Sequence, residues 1–117
     1  MKRILVVDDD PDLREAMIDV LAGEGYHLVT AANGREALDL LAQGERPDVI
    51  LLDLMMPVMN GHEMRAHQLA DGAIADIPVV VMTAGALDDR VPELRAAACF
   101  KKPVALDDLL RVIEAEG

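Results

Sequence analysis

The segment ILVVDDDP, residues 4–11, indicates how the rest of the chain folds. Its first half is a continuous apolar run rich in β-branched residues, which is typical of a strand buried on both faces of a sheet. Three aspartates follow, and the last of them, Asp10, precedes a proline, a pair that favours a helix N-cap and first turn. The segment therefore predicts a buried strand that ends in an acidic loop and leads into a helix.

The alternation of apolar runs and helical patterns continues from end to end. Four further strands are predicted at residues 26–31, 49–52, 79–82 and 99–101. Helical patterns follow each strand; Asn33 is the predicted N-cap of the second helix, and residues 91–98 are predicted to form a short fourth helix. Strands that alternate with helices predict an α/β protein, a (βα)5 fold with a doubly wound five-stranded parallel sheet.

Composition limits the classes of function. The 117 residues favour a single domain, 1–117, and 52% apolar residues are enough to fill its core. The formal net charge of -11 opposes direct contact with nucleic acid or with an anionic membrane. No apolar run approaches the length of a membrane span, and the single cysteine fits a reducing compartment. We therefore expect a cytoplasmic protein that binds neither nucleic acid nor membrane.

Side chains with chemical capability follow four of the five predicted strands. Asp8 and Asp9 follow the first strand, Asp53 the third, Thr83 the fourth and Lys102 the fifth. In an open parallel sheet, ligands bind beyond the carboxyl ends of the strands, near the reversal in strand order. We therefore expect these five residues to form one site.

The residue types at this edge indicate phosphoryl chemistry. Carboxylates at one rim repel one another unless a cation offsets their charge, and Mg2+ prefers oxygen ligands. A carboxylate can also act as a nucleophile and form an aspartyl phosphate, while a lysine and a hydroxyl stabilise the transferring group. Asp53 is accordingly the candidate phosphoacceptor. Asp8, Asp9 and Asp53 are candidate metal ligands, and Thr83 and Lys102 are candidates for contacts to the phosphate oxygens.

Four motifs, in order along the chain, carry a family resemblance: VVDDD at 6–10, LLDLMMPVMNG at 51–61, VMTA at 81–84 and KKP at 101–103. With these motifs the whole chain resembles a response-regulator receiver domain of two-component signal transduction, which has a flavodoxin-like (βα)5 fold. The resemblance implies that Asp53 accepts a phosphoryl group from the phosphohistidine of a sensor histidine kinase or a histidine phosphotransfer protein. It also implies that the backbone carbonyl of Met55 completes the protein's ligation of Mg2+, and that Lys102-Pro103 is a cis peptide.

The resemblance further implies a regulatory phosphoacceptor rather than an enzyme. Such a domain promotes only its own phosphotransfer and autodephosphorylation. Phosphorylation would switch the binding of an unidentified downstream protein through the face around helix 4, strand 5 and helix 5, and a phosphorylation-linked homodimer is compatible with this. No output domain is expected in this chain.

Two features depart from the family pattern. Cys99 occupies the place on the fifth strand where receivers usually carry tyrosine or phenylalanine, and Phe100 should point to the opposite face. Thr83 and Lys102 are nineteen positions apart, a few fewer than usual. We therefore expect residues 85–98 to carry the response to phosphorylation as a change in order.

Two positions that flank the path of hydrolytic water in the family are Met55 and Gly85 in this chain. Neither residue can orient a water molecule through a hydrogen bond from its side chain. Since orientation contributes to the rate of hydrolysis, the pair predicts slow autodephosphorylation.

Two alternatives remain open from the sequence. A haloacid-dehalogenase-type aspartyl-phosphate phosphatase also uses an aspartate nucleophile and Mg2+. That class of enzyme requires a second aspartate two residues after the nucleophile as its acid/base, and this chain has Met55 there. A receiver-like scaffold that is not phosphorylated would not require the complete set of site residues. A turnover assay on small phosphate esters separates the phosphatase from the other two.

Overall fold

Five parallel strands form a single sheet in the computed structural model, which describes residues 2–85, Leu87 and residues 91–116. The strands are β1 (Arg3–Val7), β2 (His27–Ala31), β3 (Val49–Leu52), β4 (Val79–Thr83) and β5 (Ala98–Lys101). Their order across the sheet is β2-β1-β3-β4-β5, so the strand order reverses at β1 and β3. The predicted parallel sheet is confirmed, and the acidic loop after β1 lies at this reversal.

Four α-helices connect and cover the strands: α1 (Pro11–Gly23), α2 (Gly34–Ala42), α3 (Gly61–Ala70) and α4 (Leu106–Glu116). Asp10 and Asn33 are N-caps as predicted, because their side-chain oxygens accept hydrogen bonds from first-turn amides of α1 and α2. Asn60 and Glu63 form a capping box at the start of α3. This box places the beginning of α3 directly after the loop that follows β3.

The core has one cluster on each face of the sheet. Alternate residues of β1 illustrate the division: Leu5 and Val7 pack in the cluster with α2 and α3, while Ile4 and Val6 pack in the cluster with α1 and α4. All four side chains are at most 1% exposed. The uninterrupted apolar run that starts the sequence is therefore explained by burial on both faces.

The prediction of a fourth α-helix at residues 91–98 is wrong. A short 3-10 helix, Val91–Leu94, stands there, and Ala98 already belongs to β5. Arg95 has a φ of 47°, in the left-handed region, so the helical conformation ends before it. The predicted fifth helix is therefore α4. Part of the segment predicted to change order, Ala86 and residues 88–90, lies outside the described residues.

Cys99 and Phe100 face opposite sides of the sheet, as predicted from the alternation along a strand. Cys99 packs against the cluster that contains α2 and α3, and Phe100 packs against the cluster with α1 and α4. Burial raises the pKa of the Cys99 thiol, so this side chain is a neutral packing group at neutral pH. In the part of the chain that the structure describes, no helix has the length and apolar character needed to cross a membrane.

Candidate functional site

The carboxyl ends of β1 and β3 bring three aspartates together. The Asp53 amide donates to the Val7 carbonyl at 2.9 Å, which continues the pairing of the two strands up to the acidic loop. Oxygens of the Asp8, Asp9 and Asp53 carboxylates all lie within 4.8 Å of one another. Asp8 and Asp53 are buried, whereas Asp9 is exposed at the rim. The three aspartates singled out in the sequence therefore form one acidic cluster.

Lys102 reaches the same cluster from β5. Its ammonium nitrogen lies 2.6 Å from Oδ2 of Asp8 and 3.6 Å from Oδ2 of Asp53. The Lys102 amide donates to the Thr83 carbonyl at 2.8 Å, which fixes the backbone just beyond the last strand pair. The Lys102-Pro103 peptide is cis, as expected. A lysine placed ninety-four residues from Asp8 in sequence is thus its direct ion-pair partner.

Thr83 and Met55 complete the set of predicted site residues. The Thr83 side chain is buried at the end of β4, and its hydroxyl oxygen accepts a hydrogen bond from the Gly85 amide at 3.1 Å. The Met55 amide donates to Oδ1 of Asp53 at 3.3 Å. This bond holds the Met55 peptide unit beside the Asp53 carboxylate. The roles assigned to both residues stay predictions.

Opposing effects act on the ionisation of Asp53 and Lys102. Burial is the largest effect on Asp53 and raises its pKa, and the negative charges of Asp8 and Asp9 raise it further. The hydrogen bond from the Met55 amide and the positive charge of Lys102 lower it. The net result is a raised pKa for Asp53. For Lys102, burial lowers the pKa, but the hydrogen bond with Asp8 and the charge of Asp53 raise it above its ordinary value. Lys102 is therefore a stable cation, and it offsets only part of the negative charge.

The residue set fits a hard divalent cation. Three carboxylates from two adjacent loops converge, and oxygen is the ligand that Mg2+ and Ca2+ select. Asp53 has its pKa raised by burial and by its acidic neighbours, and a cation at this place would remove that penalty. Asp9 is exposed, so the cluster stays open to solvent on one side. The arrangement can bind a metal ion and still leave coordination positions for other oxygen ligands.

Gly61 is a site residue whose function the sequence analysis did not identify. A β-carbon at this position would collide with the Asp53 carbonyl oxygen and would lie 2.8 Å from the Leu54 α-carbon. Only glycine lets the start of α3 pack this closely on the backbone that carries Asp53. The sequence signal was the Asn60-Gly61 pair, which marks a helix start.

Arg65 is a second unanticipated residue. It is 5% exposed on α3, and its guanidinium donates to the carbonyls of Leu94 and Arg95 at 2.7 Å and 3.0 Å. A third bond, of 2.8 Å, goes to the side chain of Gln68. These bonds anchor the end of the 3-10 helix to α3. No signal in the sequence distinguishes this arginine from the exposed ones, because two of its three acceptors are main-chain carbonyls about thirty positions away.

Residues 4–114 match the family described as the response regulator receiver domain. Among curated proteins, the response regulator MprA of Mycolicibacterium vanbaalenii is 43% identical over 116 residues, which is 97% of this chain and 49% of the relative. MprA of Mycobacterium tuberculosis is also 43% identical over 116 residues, which is again 97% of this chain and 49% of the relative. The chain thus spans about half the length of the curated relatives that it matches.

Solved structures with the same fold include two with substantial identity. The response regulator TrrA of Thermotoga maritima, in complex with Mg2+ and BeF, is 33% identical with a TM-score of 0.88, and the match covers 100% of both chains. The chemotaxis protein CheY4 of Vibrio cholerae is 32% identical with a TM-score of 0.88, over 100% of this chain and 99% of that one. Both matches cover the whole of this chain.

Proposed function

Since this chain belongs to the response regulator receiver domain family, a regulatory family of two-component signalling, we propose that it is a phosphorylation-dependent switch whose acceptor is Asp53. The observation that carries the proposal is the position of the Asp53 carboxylate. One of its oxygens lies within 4.8 Å of oxygens of Asp8 and Asp9, and its Oδ2 lies 3.6 Å from the ammonium nitrogen of Lys102. Asp8 shares this setting, but both of its carboxylate oxygens accept hydrogen bonds, Oδ1 from the Asp10 amide and Oδ2 from Lys102 at 2.6 Å. Oδ2 of Asp53 lies farther from Lys102, at 3.6 Å, and is the less engaged oxygen for attack on a phosphoryl group.

The proposed reaction is phosphoryl transfer from a phosphohistidine. A carboxylate oxygen of Asp53 attacks the phosphorus; the new P–O bond forms as the P–N bond breaks, and the imidazole nitrogen keeps the bonding electron pair. The Lys102 ammonium nitrogen lies 3.6 Å from Oδ2 of the acceptor and would contact the oxygens of the transferred group. The Thr83 hydroxyl, at the neighbouring strand end, would donate a further hydrogen bond to them. The donor would be a sensor histidine kinase or a histidine phosphotransfer protein.

We also propose Mg2+ as the metal of this site. Asp8, Asp9 and Asp53 would hold it, with the Met55 carbonyl as a further ligand. When bound, the ion supplies positive charge that neutralises the phosphoryl oxygens in the transition state. The relative from Thermotoga maritima, which is in complex with Mg2+ and BeF, supports this choice of metal.

Phosphorylation would change the binding of a downstream protein through the region around β5, the 3-10 helix and α4. This region replaces the predicted face, since the fourth α-helix is not formed at Val91–Leu94. Thr83 links the acceptor site to this region, because its carbonyl accepts from Lys102 and its hydroxyl accepts from Gly85. A two-state response needs such an element with alternative hydrogen-bond partners.

Labelling with a small phosphodonor tests the acceptor. The protein is incubated with acetyl phosphate and Mg2+, and the modified residue is located by mass spectrometry. We expect a single label, on Asp53, and none in Asp53→Asn. Asp10→Asn is the matched control, because it removes a carboxylate from the same loop and asparagine still caps α1. Equal labelling of wild type and Asp53→Asn would refute the assignment.

Turnover distinguishes this switch from the phosphatase alternative. The residue two positions after Asp53 is Met55, whose thioether can neither donate nor accept a proton as a general acid or base. We therefore expect no sustained hydrolysis of p-nitrophenyl phosphate with Mg2+. Multiple turnovers that disappear in Asp53→Asn would favour the phosphatase.

A further inference from the structure

The side chain of Met55 spans from the loop after β3 to the loop after β4. A β-carbon placed on Gly85 would lie 2.9 Å from the Met55 sulfur, 3.9 Å from Met55 Cγ and 3.6 Å from the Thr83 hydroxyl oxygen. The thioether therefore occupies the space that any side chain at position 85 would need. The Thr83 hydroxyl oxygen borders the same space, and the Met55 amide donates a hydrogen bond to Oδ1 of Asp53. An apolar sulfur thus lies next to the proposed acceptor site, and we call the place between Met55 and Gly85 the mouth of this site.

The Met55 residue as a whole is largely exposed to solvent. Met55 is 64% exposed, and it is the only exposed methionine in the described part of the chain. The other described methionines are half-buried or buried, namely Met17, Met56, Met59, Met64 and Met82. Since oxidation of methionine follows access of the oxidant to sulfur, Met55 is the favoured target among the methionines that the structure describes.

We propose that Met55 is an oxidation-sensitive modification site, at which hydrogen peroxide forms a sulfoxide that shortens the lifetime of the aspartyl phosphate. In this reaction a lone pair of the sulfur attacks one peroxide oxygen, the S–O bond forms and the O–O bond breaks, and water leaves. The sulfur loses two electrons and the peroxide gains them. The effect on lifetime rests on the proposed function, because it requires phosphorylated Asp53.

The sulfoxide changes the chemistry at the mouth of the site. The thioether is a weak hydrogen-bond acceptor, so it cannot hold a water molecule for attack on the phosphorus. The sulfoxide is polar and its oxygen is a strong acceptor. The added oxygen can be accommodated on the solvent side, because Met55 is 64% exposed. Water held at this place gains the orientation that hydrolysis requires, so the phosphoryl group is lost faster.

Peptide mapping tests the site without any phosphorylation. The purified protein is treated with limiting hydrogen peroxide, and the sulfoxide at each methionine is quantified by mass spectrometry over time. We expect Met55 to be oxidised several-fold faster than Met17, Met56 and Met59. Oxidation of Met55 at or below the rate of these half-buried residues would overturn the proposal, whatever the outcome for Asp53.

Phosphoryl lifetime tests the consequence. Wild type, Met55→Leu and Met17→Leu are each labelled with acetyl phosphate, with and without prior peroxide, and loss of phosphate is followed in excess Mg2+. Prior treatment with peroxide should increase the rate of phosphate loss at least threefold in wild type and in Met17→Leu. The rate of phosphate loss from Met55→Leu should not change. Equal acceleration in Met55→Leu, or none in wild type, would overturn the inference. Absence of labelling in untreated wild type would refute the proposed function together with it.

Gly85→Ala tests the geometric argument. Gly85 has no positive φ, so alanine is compatible with its backbone, but the added carbon displaces the Met55 sulfur from the mouth of the site. Met55 should still be oxidised in this variant, while the effect of peroxide on the lifetime should largely disappear. An undiminished effect would show that the contact between Met55 and Gly85 is irrelevant and would overturn the proposed role.

Discussion

The ammonium nitrogen of Lys102 lies 2.6 Å from Oδ2 of Asp8, closer than its 3.6 Å distance to Oδ2 of Asp53. Asp8 is completely buried, and no other cationic side chain among the described residues forms an ion pair with it. Lys102 is therefore the internal counterion of the acidic cluster. A metal ion that uses Asp8 as a ligand must share this carboxylate with Lys102 or displace the ammonium group of Lys102 from it.

Removal of Lys102 should strengthen Mg2+ binding. Lys102→Met eliminates a positive charge next to two proposed ligands, and at a partly solvated rim this repulsion is worth about 1 kcal/mol, roughly a fivefold change in Kd. Calorimetric titration measures the affinity, which suits a chain without tryptophan. Lys101→Met is the control, because it makes the same charge change at an exposed neighbour. Weaker binding by Lys102→Met would contradict the counterion assignment.

Removal of Asp9 should weaken Mg2+ binding. Asp9 is exposed, so Asp9→Ala deletes one carboxylate of the cluster without a cavity in the core. We expect the Kd for Mg2+ to rise at least tenfold, about 1.4 kcal/mol, because a hard cation depends on the number of charged ligands. Asp12→Ala, on the first turn of α1, provides the same change of net charge outside the cluster. If both variants bind Mg2+ equally well, the ion is bound elsewhere.

Beryllofluoride with Mg2+ should change amide hydrogen exchange around the 3-10 helix. The Gly85 amide is bonded to the Thr83 hydroxyl, and this bond is expected to change when the hydroxyl turns to the phosphoryl mimic. We expect altered exchange at Gly85 and within Val91–Leu94, and little change at Ala97, whose amide pairs with the Val79 carbonyl. Asp53→Asn should show no response. Changes restricted to α1 and α2 would contradict this route.

Arg65 should contribute strongly to stability. Arg65→Met keeps much of the side-chain volume but leaves the carbonyls of Leu94 and Arg95 without their guanidinium donor. Loss of buried hydrogen bonds of this kind costs about 2–3 kcal/mol in free energy of unfolding. Urea denaturation followed by circular dichroism measures it. Arg35→Met, which breaks only an exposed pair with Asp39, should cost less than about 0.5 kcal/mol. Equal losses would mean that Arg65 does not anchor the segment.

Val58 should be a site of stabilising substitution. It has a φ of 67°, a conformation that a β-branched residue rarely adopts, and its side chain is 81% exposed. Val58→Gly removes the strain and little packing, so we expect a gain of about 1 kcal/mol after the entropy cost of glycine in the unfolded chain. Val58→Ala retains a β-carbon and should recover only part of this gain. A less stable Val58→Gly would show that the loop is not strained at this position.

Local sequence patterns were sufficient for most of the fold. The run of Ile4 to Val7 predicted a doubly buried strand because burial on both faces requires apolar residues without alternation. Asp10 and Asn33 predicted helix starts because capping involves residues within one turn. The prediction of a fourth α-helix was wrong for a non-local reason. The chain between β4 and β5 had to reach the sheet edge in few residues, and Arg65 binds the carbonyls at which the short helix ends.

The same distinction holds at the proposed acceptor site. The sequence alone was sufficient to place Asp8, Asp9, Asp53, Thr83 and Lys102 at one edge of the sheet, because parallel strands bring their carboxyl ends together and each motif stands at the end of a strand. Their roles stay predictions. Only the tertiary structure decided how these groups pair: that Lys102 bonds Asp8 more closely than Asp53, and that the Met55 sulfur fills the space beside Gly85. Strand ends can be read from periodicity, which is local. Distances between side chains on different loops depend on packing around them, and packing joins residues that the sequence keeps far apart.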